Sequence, residues 1–334
     1  MESMPPPVQM VQMLAGFQVS QALYVAAKLG IPDVLVAGPR SIDEIADHVT
    51  ADPAAVGRLV RVLGSMGVFA PQADGRYGLG PLGPTLVSEG DGSMRDLALM
   101  WMETHYGAFG GLLDGVRTGT SAATSYFGQP FFGWLSGQPE QADRFSRAMA
   151  NLTNGIKAGA IASYDFSGAG RIIDLGAADA ALLARVLQAH PDVTGVAFDL
   201  PHVVAAAEKT VKGYGLDARL TQESGDFFES VPAGGDTYLL ALVLHDWDDT
   251  QAARILANLR AAARAGAKVV AFELVLPADG GPHMAQMIDL TMLAMLGGRE
   301  RTAAEHRALF EAAGLTFAGV TATPTPISIV EATV

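Results

Sequence analysis

An apolar run from Tyr238 to Leu244 ends in His245-Asp246-Trp247-Asp248-Asp249, which sets one imidazole at the end of a candidate strand among carboxylates. Imidazole titrates near neutrality, so His245 is a candidate general base for a hydroxyl of pKa about 10, such as a phenol. Upstream, Asp174-Leu175-Gly176-Ala177-Ala178-Asp179 brackets a turn with two carboxylates. They oppose a pyrophosphate, and the spacing departs from GxGxxG, so the turn suits a sulfonium or ammonium better than a dinucleotide. Asp199, in Phe198-Asp199-Leu200-Pro201, lies about 20 residues beyond the turn, where an acidic side chain accepts hydrogen bonds from ribose hydroxyls. Asp226 and Phe227 offer a carboxylate for an adenine amine and an aromatic face for its ring, although Phe227 reads equally well as core. A nucleoside joined to a cation describes S-adenosylmethionine.

These residues need a sheet edge to gather them. From Arg171 onward, strand patterns near Ile172, Thr194, Ala218, Tyr238, Lys268 and Thr316 alternate with helices, which predicts a doubly wound, Rossmann-like α/β domain. Pro324-Thr325-Pro326 divides the last segment into a terminal antiparallel hairpin at the sheet edge. Before it, from Val8 to roughly Thr153, the pattern is helical, with Val11, Leu14, Ala15, Val19 and Leu23 at helical spacing. Ser41-Ile42-Asp43-Glu44 is a capping box, Asp52-Pro53 starts a second helix, and Val68 to Ala70 and Arg76 to Leu79 flank an Asp74-Gly75 turn. That is a winged helix. We place the domains at 1–165, α-rich and suited to dimerisation and a substrate wall, and 166–334, binding the cofactor, with the junction in Tyr164 to Gly170.

Composition narrows the partners. The 334 residues are 49% hydrophobic with a net charge of -13, enough apolar material for about two domains. That charge disfavours nucleic acid, and the second winged-helix segment carries only Arg58 and Arg61, with Arg76 on the wing. No apolar run approaches the about 18 residues of a membrane span, and no basic, then apolar leader opens the chain. With no cysteine, neither disulfides nor thiolate metal sites are expected, and a cytoplasmic location is. Histidines 48, 190, 202, 283 and 306 lack paired ligand spacing, so no metal is expected. Aromatic and thioether side chains, among them His105-Tyr106, Phe109, Met149 and Met292, together with Asp246, are candidates for contact with a flat, apolar small molecule. Arg299 and Arg301 read equally well as salt-bridging surface residues.

Taken together, Phe198-Asp199-Leu200-Pro201-His202, Gly225-Asp226-Phe227-Phe228, Leu244 to Asp249, Glu273 to Pro277 and Gly297 to Thr302 resemble the bacterial relatives of plant-type small-molecule O-methyltransferases over nearly the whole chain. The resemblance implies a homodimer that methylates a phenolic or enolic hydroxyl of a secondary metabolite with S-adenosylmethionine. It implies cofactor contacts by Asp174, Gly176, Asp199, Leu200, Asp226 and Phe227, with His245 as base and Glu273 and Glu300 as the carboxylates flanking it. Two departures stand out. Ala177, Ala178 and Ala180 replace glycines of the family turn, and the segment Leu240 to Leu244 is wholly apolar where many relatives carry a polar or basic residue. Each alanine adds a Cβ near the methionine end and so bears on cofactor affinity. They leave open an alternative: a methyltransferase fold turned to cyclase, pericyclase, decarboxylase or hydroxylase chemistry.

Overall fold

A computed structural model describes residues 4–90, 92–152, 156–204 and 207–334 of the chain. Residues 1–3, where a leader would start, Thr153 at the far end of the helical reading, and the His202 side chain lie outside that description. The chain divides into two compact units, Met1–Gly107 with Gln138–Leu152, and Ala108–Gly137 with Thr153–Val334. Among the described residues no helix is long and apolar enough to cross a membrane.

The first unit opens with α1 (Pro6–Leu14) and α2 (Gly16–Leu29). Val8, Met10, Val11, Met13, Leu14 and Phe17 are all exposed, and α1 buries none of its residues. Of the apolar positions at helical spacing, Val11 and Leu14 are exposed, Ala15 and Val19 are half-buried, and Leu23 packs against the core of the unit. Ser41 and Glu44 close the expected capping box on the helix Ile42–Val49, and Asp52 caps Pro53–Ser65. The wing follows as β1 (Phe69–Pro71) and β2 (Tyr77–Leu79), antiparallel, with Phe69 opposite Leu79. Ile31, Ile45, Val60, Leu63 and Phe69 form the core of this winged helix. Glu103, in a π-helical stretch Trp101–His105, ties the unit together by accepting from Tyr24, Lys28, Gln141 and Arg144.

The second unit is built on β3 (Arg171–Leu175), β4 (Thr194–Asp199), β5 (Leu220–Ser224), β6 (Thr237–Ala241) and β7 (Lys268–Glu273), all parallel. Two short strands, β8 (Val275–Leu276) and β9 (Arg301–Thr302), pair with each other, and β10 (Thr316–Ala322) and β11 (Ser328–Thr333) make the terminal hairpin. The order of the large sheet is β10-β11-β7-β6-β3-β4-β5, with β11 antiparallel to β7. The chain thus leaves β3 toward β4 on one side and returns through β6 toward β7 on the other, which opens a crevice at the carboxyl ends of β3 and β6. Strand residues alternate between two cores: Ile172, Leu239, Val270 and Phe272 pack on one face, and Ile173, Leu175, Tyr238, Leu240 and Val269 on the other. Phe109, Phe127, Phe131, Phe132 and Trp134, read with the N-terminal half, fall in this unit, where the rings of Phe127 and Trp134 stack at 4.1 Å. The β8–β9 pair was not visible in the sequence, because two-residue strands carry no periodicity.

The turn after β3 keeps a glycine-type path without the glycines. Gly176, Ala178 and Ala180 all lie in the left-handed region, at φ 75, 50 and 60. A side chain costs about 1–2 kcal/mol there. Ala177 and Ala180 are buried in the core beneath the helix Ala181–Ala189, so their methyl groups pack inward, while Ala178 is exposed. Ala178→Gly is accordingly expected to raise the urea midpoint, by about 0.5–1 kcal/mol in stability once the entropy of glycine is subtracted. Ala180→Gly, which also removes a buried methyl, should gain less. A loss of stability in Ala178→Gly would show that the turn is not strained.

Candidate active site

The carboxyl edge of the sheet holds the cofactor-type residues. Asp199 ends β4, and its carboxylate accepts from the backbone N–H of Ala178 at 2.9 Å and of Leu200 at 2.7 Å, so it locks the turn to its own strand. Gly176 and Ala177 donate their N–H groups to the Phe198 carbonyl. Asp179 accepts from Ala181 at the start of the helix. Asp174 is buried on β3; burial, opposed by the charge of Lys157 and aided by those of Asp199 and Asp179, raises its carboxyl to about 8. Asp226 follows β5 and accepts from Phe228, while Phe227 packs edge-on against Phe228 and Trp247 and its carbonyl accepts from Asn258. A partly buried edge lined by four carboxylates fits a cationic nucleoside better than a pyrophosphate.

One residue at this edge escaped the sequence reading. Lys157, immediately before the short helix Ala158–Ile161, donates from Nζ to the Ala241 carbonyl at the end of β6, at 3.2 Å. Its signal was available as a single cation in the small, apolar stretch from Ile156 to Ile161.

His245 sits in a single 3-10 turn, Leu244–Asp246, just past β6. Its Nδ1 lies 2.7 Å from Oε1 of Glu300, and its Nε2 lies 3.4 Å from Oδ1 of Asp246. Burial alone would depress the imidazole; the carboxylates of Asp246, Glu300 and Glu273 outweigh it and raise the ring to about 9. The two flanking glutamates differ in what they hold. Glu300 bonds the ring, whereas Oε1 of Glu273 accepts from the backbone N–H of Val243 (3.3 Å) and Leu244 (3.0 Å) and so anchors the turn itself. Burial pushes Glu273 up to about 7, and its Oε2 has no partner among the described residues. Ligand atoms of His245, Glu273 and Glu300 lie within 4.8 Å of one another, and among the described residues no other histidine joins them. The 2.7 Å contact between Nδ1 and Oε1 is the length of a charge-assisted hydrogen bond, so those atoms share a proton where a metal would need both bare.

A second segment clamps this turn. Arg299 N–H donates to the His245 carbonyl at 2.9 Å, and Glu300 N–H donates to Asp289 on the helix Met284–Met295. Arg301, expected at the surface, is 1% exposed. Its guanidinium donates to the carbonyls of Leu244 and Trp247 and to Asp249, satisfying both the buried cation and the turn's free acceptors. Arg299 behaves as read, pairing with Asp249 and Glu305. Of the candidate substrate contacts, Asp246 adjoins His245, and Met292 is buried and Phe109 half-buried in the same unit. His105, Tyr106 and Met149 belong to the other unit. There His105 is buried against Thr104, and burial lowers it to about 4, so its ring is neutral.

Residues 109–316 match the family described as an O-methyltransferase domain, and residues 11–89 match an O-methyltransferase dimerisation domain. The phenazine O-methyltransferase PhzM of Lysobacter antibioticus is 41% identical over 97% of this chain and 95% of that protein. The 3-amino-4-hydroxybenzoate 4-O-methyltransferase of Streptomyces cremeus is 37% identical over 97% and 89%. Among solved structures, the O-methyltransferase NcsB1 from neocarzinostatin biosynthesis, in complex with S-adenosyl-L-homocysteine and 1,4-dihydroxy-2-naphthoic acid, superposes with a TM-score of 0.82. It is 32% identical, with 96% of this chain and 98% of that one covered.

Two outcomes follow from the geometry. A Cβ on Gly298 would stand 2.1 Å from the His245 carbonyl oxygen and 2.4 Å from the Asp246 carbonyl carbon. Gly298→Ala should therefore cost about 1–3 kcal/mol in urea unfolding, and an unchanged midpoint would contradict the clamp. The second concerns pH. His245 rises from 6.5 to about 9 on folding, so its contribution to stability is complete below pH 6.5 and is lost as pH climbs through 9. Asp174 and Glu273, raised to about 8 and about 7, keep protons that the unfolded chain has released, and act in the same direction. The urea midpoint of the ligand-free protein should fall between pH 6.5 and 9, and less steeply in Glu300→Gln; a midpoint that rises with pH would contradict these shifts.

Proposed function

The chain belongs to the O-methyltransferase family and is an S-adenosylmethionine-dependent O-methyltransferase, and from that premise we propose that His245 is its general base, positioned by Glu300 and Glu273. The observation that carries the assignment is the 2.7 Å bond from Nδ1 to Glu300, which commits one ring nitrogen and leaves Nε2 to face an acceptor hydroxyl. S-adenosylmethionine supplies an electrophilic methyl group on a sulfonium. Asp199 would take the ribose hydroxyls, Asp226 and Phe227 the adenine, and Asp174 with the Gly176 turn and Leu200 the remaining contacts. Nε2 of His245 accepts the hydroxyl proton as the oxygen attacks, and Glu300 stabilises the imidazolium that results. Glu273 keeps the turn, and hence the ring, in place through two backbone amides.

The names of the relatives, phenazine and aminohydroxybenzoate O-methyltransferases, support a flat aromatic acceptor with a phenolic hydroxyl, drawn from secondary metabolism. Asp246, Phe109 and Met292, all in the unit that carries the sheet, are the residues we assign to it. The dimerisation domain indicates a homodimer, and the exposed apolar face of α1 and α2 suits a second copy. The acidic charge argues against nucleic acid as the partner of the winged helix. The relatives give the non-methylating alternative no support.

His245→Ala should lower kcat by about a hundredfold to ten-thousandfold while leaving the affinity for S-adenosylhomocysteine unchanged, since the ring acts on the proton in flight. An equal loss in both would sink the assignment. Because the resting ring is raised to about 9 and only its neutral form accepts a proton, kcat/KM should climb with pH through the neutral range toward 9. In Glu300→Gln that rise should shift to lower pH; a profile that is flat from pH 6.5 to 9 would rule out His245 as the titrating base.

A further inference from the structure

Lys157 has an environment that its contacts within the chain do not account for. Its side chain is desolvated enough that burial lowers the ammonium, against the pull of Asp174, Asp246, Glu273 and Asp179. Yet among the described residues Nζ makes one hydrogen bond, to the Ala241 carbonyl, and no ion pair. A lysine ammonium carries three N–H donors, so two have no partner among the described residues on this half-buried side chain. A lysine kept only to neutralise buried carboxylates would pair with one of them directly, because the desolvation of both ions is then offset at contact.

The location narrows what those donors meet. Ala241 ends β6 and Asp174 is the penultimate residue of β3, and the two strands are neighbours at the sheet's switch point. The methionine end of S-adenosylmethionine carries an ammonium and a sulfonium, which Asp174 and Asp179 suit, and an α-carboxylate, which they repel. Asp199 adds to that repulsion. Of the charges that act on Asp174, Lys157 is the positive one. A carboxylate brought to this edge needs a cation, and this is the cation present.

We propose that the Lys157 ammonium, held by the Ala241 carbonyl, receives the α-carboxylate of the cofactor's methionine end and so makes the site selective for ligands that carry the amino-acid portion. The assignment rests on the methyltransferase reading above. It completes a site of mixed sign: carboxylates for the two cationic groups and one ammonium for the anionic one. S-adenosylhomocysteine keeps the same carboxylate and lacks only the methyl group, so product and cofactor share the contact.

Calorimetry on the full chain with two probes tests this, S-adenosylhomocysteine and 5′-methylthioadenosine, a thioether nucleoside without the amino-acid end. Lys157→Met should weaken S-adenosylhomocysteine by about tenfold to a hundredfold, the worth of a charged hydrogen bond, and leave methylthioadenosine within about twofold. Retained methylthioadenosine binding also reports that the variant is folded, and Lys157→Arg should recover part of the lost affinity. Unchanged S-adenosylhomocysteine binding in Lys157→Met, or an equal loss for both probes, would overturn the assignment. Failure of S-adenosylhomocysteine to bind the unaltered, folded protein would instead overturn the methyltransferase reading, and the assignment with it.

Discussion

The hydrogen bond between His245 and Glu300 joins residues 55 positions apart, and it persists only if both ends are held from outside. A buried carboxylate and a buried imidazole each lose their water, and the loss is offset only when every remaining donor and acceptor nearby has a partner. The surroundings of the pair meet most of that demand, with Glu273 Oε2 and Trp247 Nε1 the exceptions among the described residues. Glu273 takes the amides ahead of the histidine, Arg301 takes the carbonyls around it, and Asp289 takes the Glu300 amide. The β8–β9 pair draws the clamp segment back beside the end of β7. Each element at this end of the sheet can be understood as satisfying a polar group that the ion pair forces to be buried.

The parallel sheet, the winged helix and the edge residues were legible because each has a local signature. Capping residues, an Asp-Gly turn and alternating strand and helix patterns all act over a few positions, and in every case the structure followed them. What stayed hidden depends on contacts far apart in sequence. Arg301 has the composition of a surface residue, and only the fold shows that carbonyls from Leu244 and Trp247 surround it. The same holds for the division of labour between Glu273 and Glu300: motif resemblance put two acids near a histidine and could not say which would touch the ring. Lys157 precedes the sheet and reaches it only through a carbonyl 84 positions later.

The turn after β3 shows a different limit. Its lack of glycine suggested that side chains would crowd the ligand, whereas the methyl groups of Ala177 and Ala180 enter the core and the backbone keeps its left-handed residues. Asp199 and the Phe198 carbonyl hold that path from the neighbouring strand. A glycine motif read from sequence stands in for a backbone shape, and the shape survives when tertiary bonds impose it on alanine at a cost of about 1–2 kcal/mol per position.

The bare apolar face of α1 carries its own thermodynamic consequence. A nine-residue helix with no buried residue gains little from its own chain, and short helices are marginal in water. If this face packs on the second copy of the homodimer, as proposed above, the order of the helix rises with protomer concentration and falls on dilution. The N-terminus thereby becomes a local gauge of how much of the enzyme is paired.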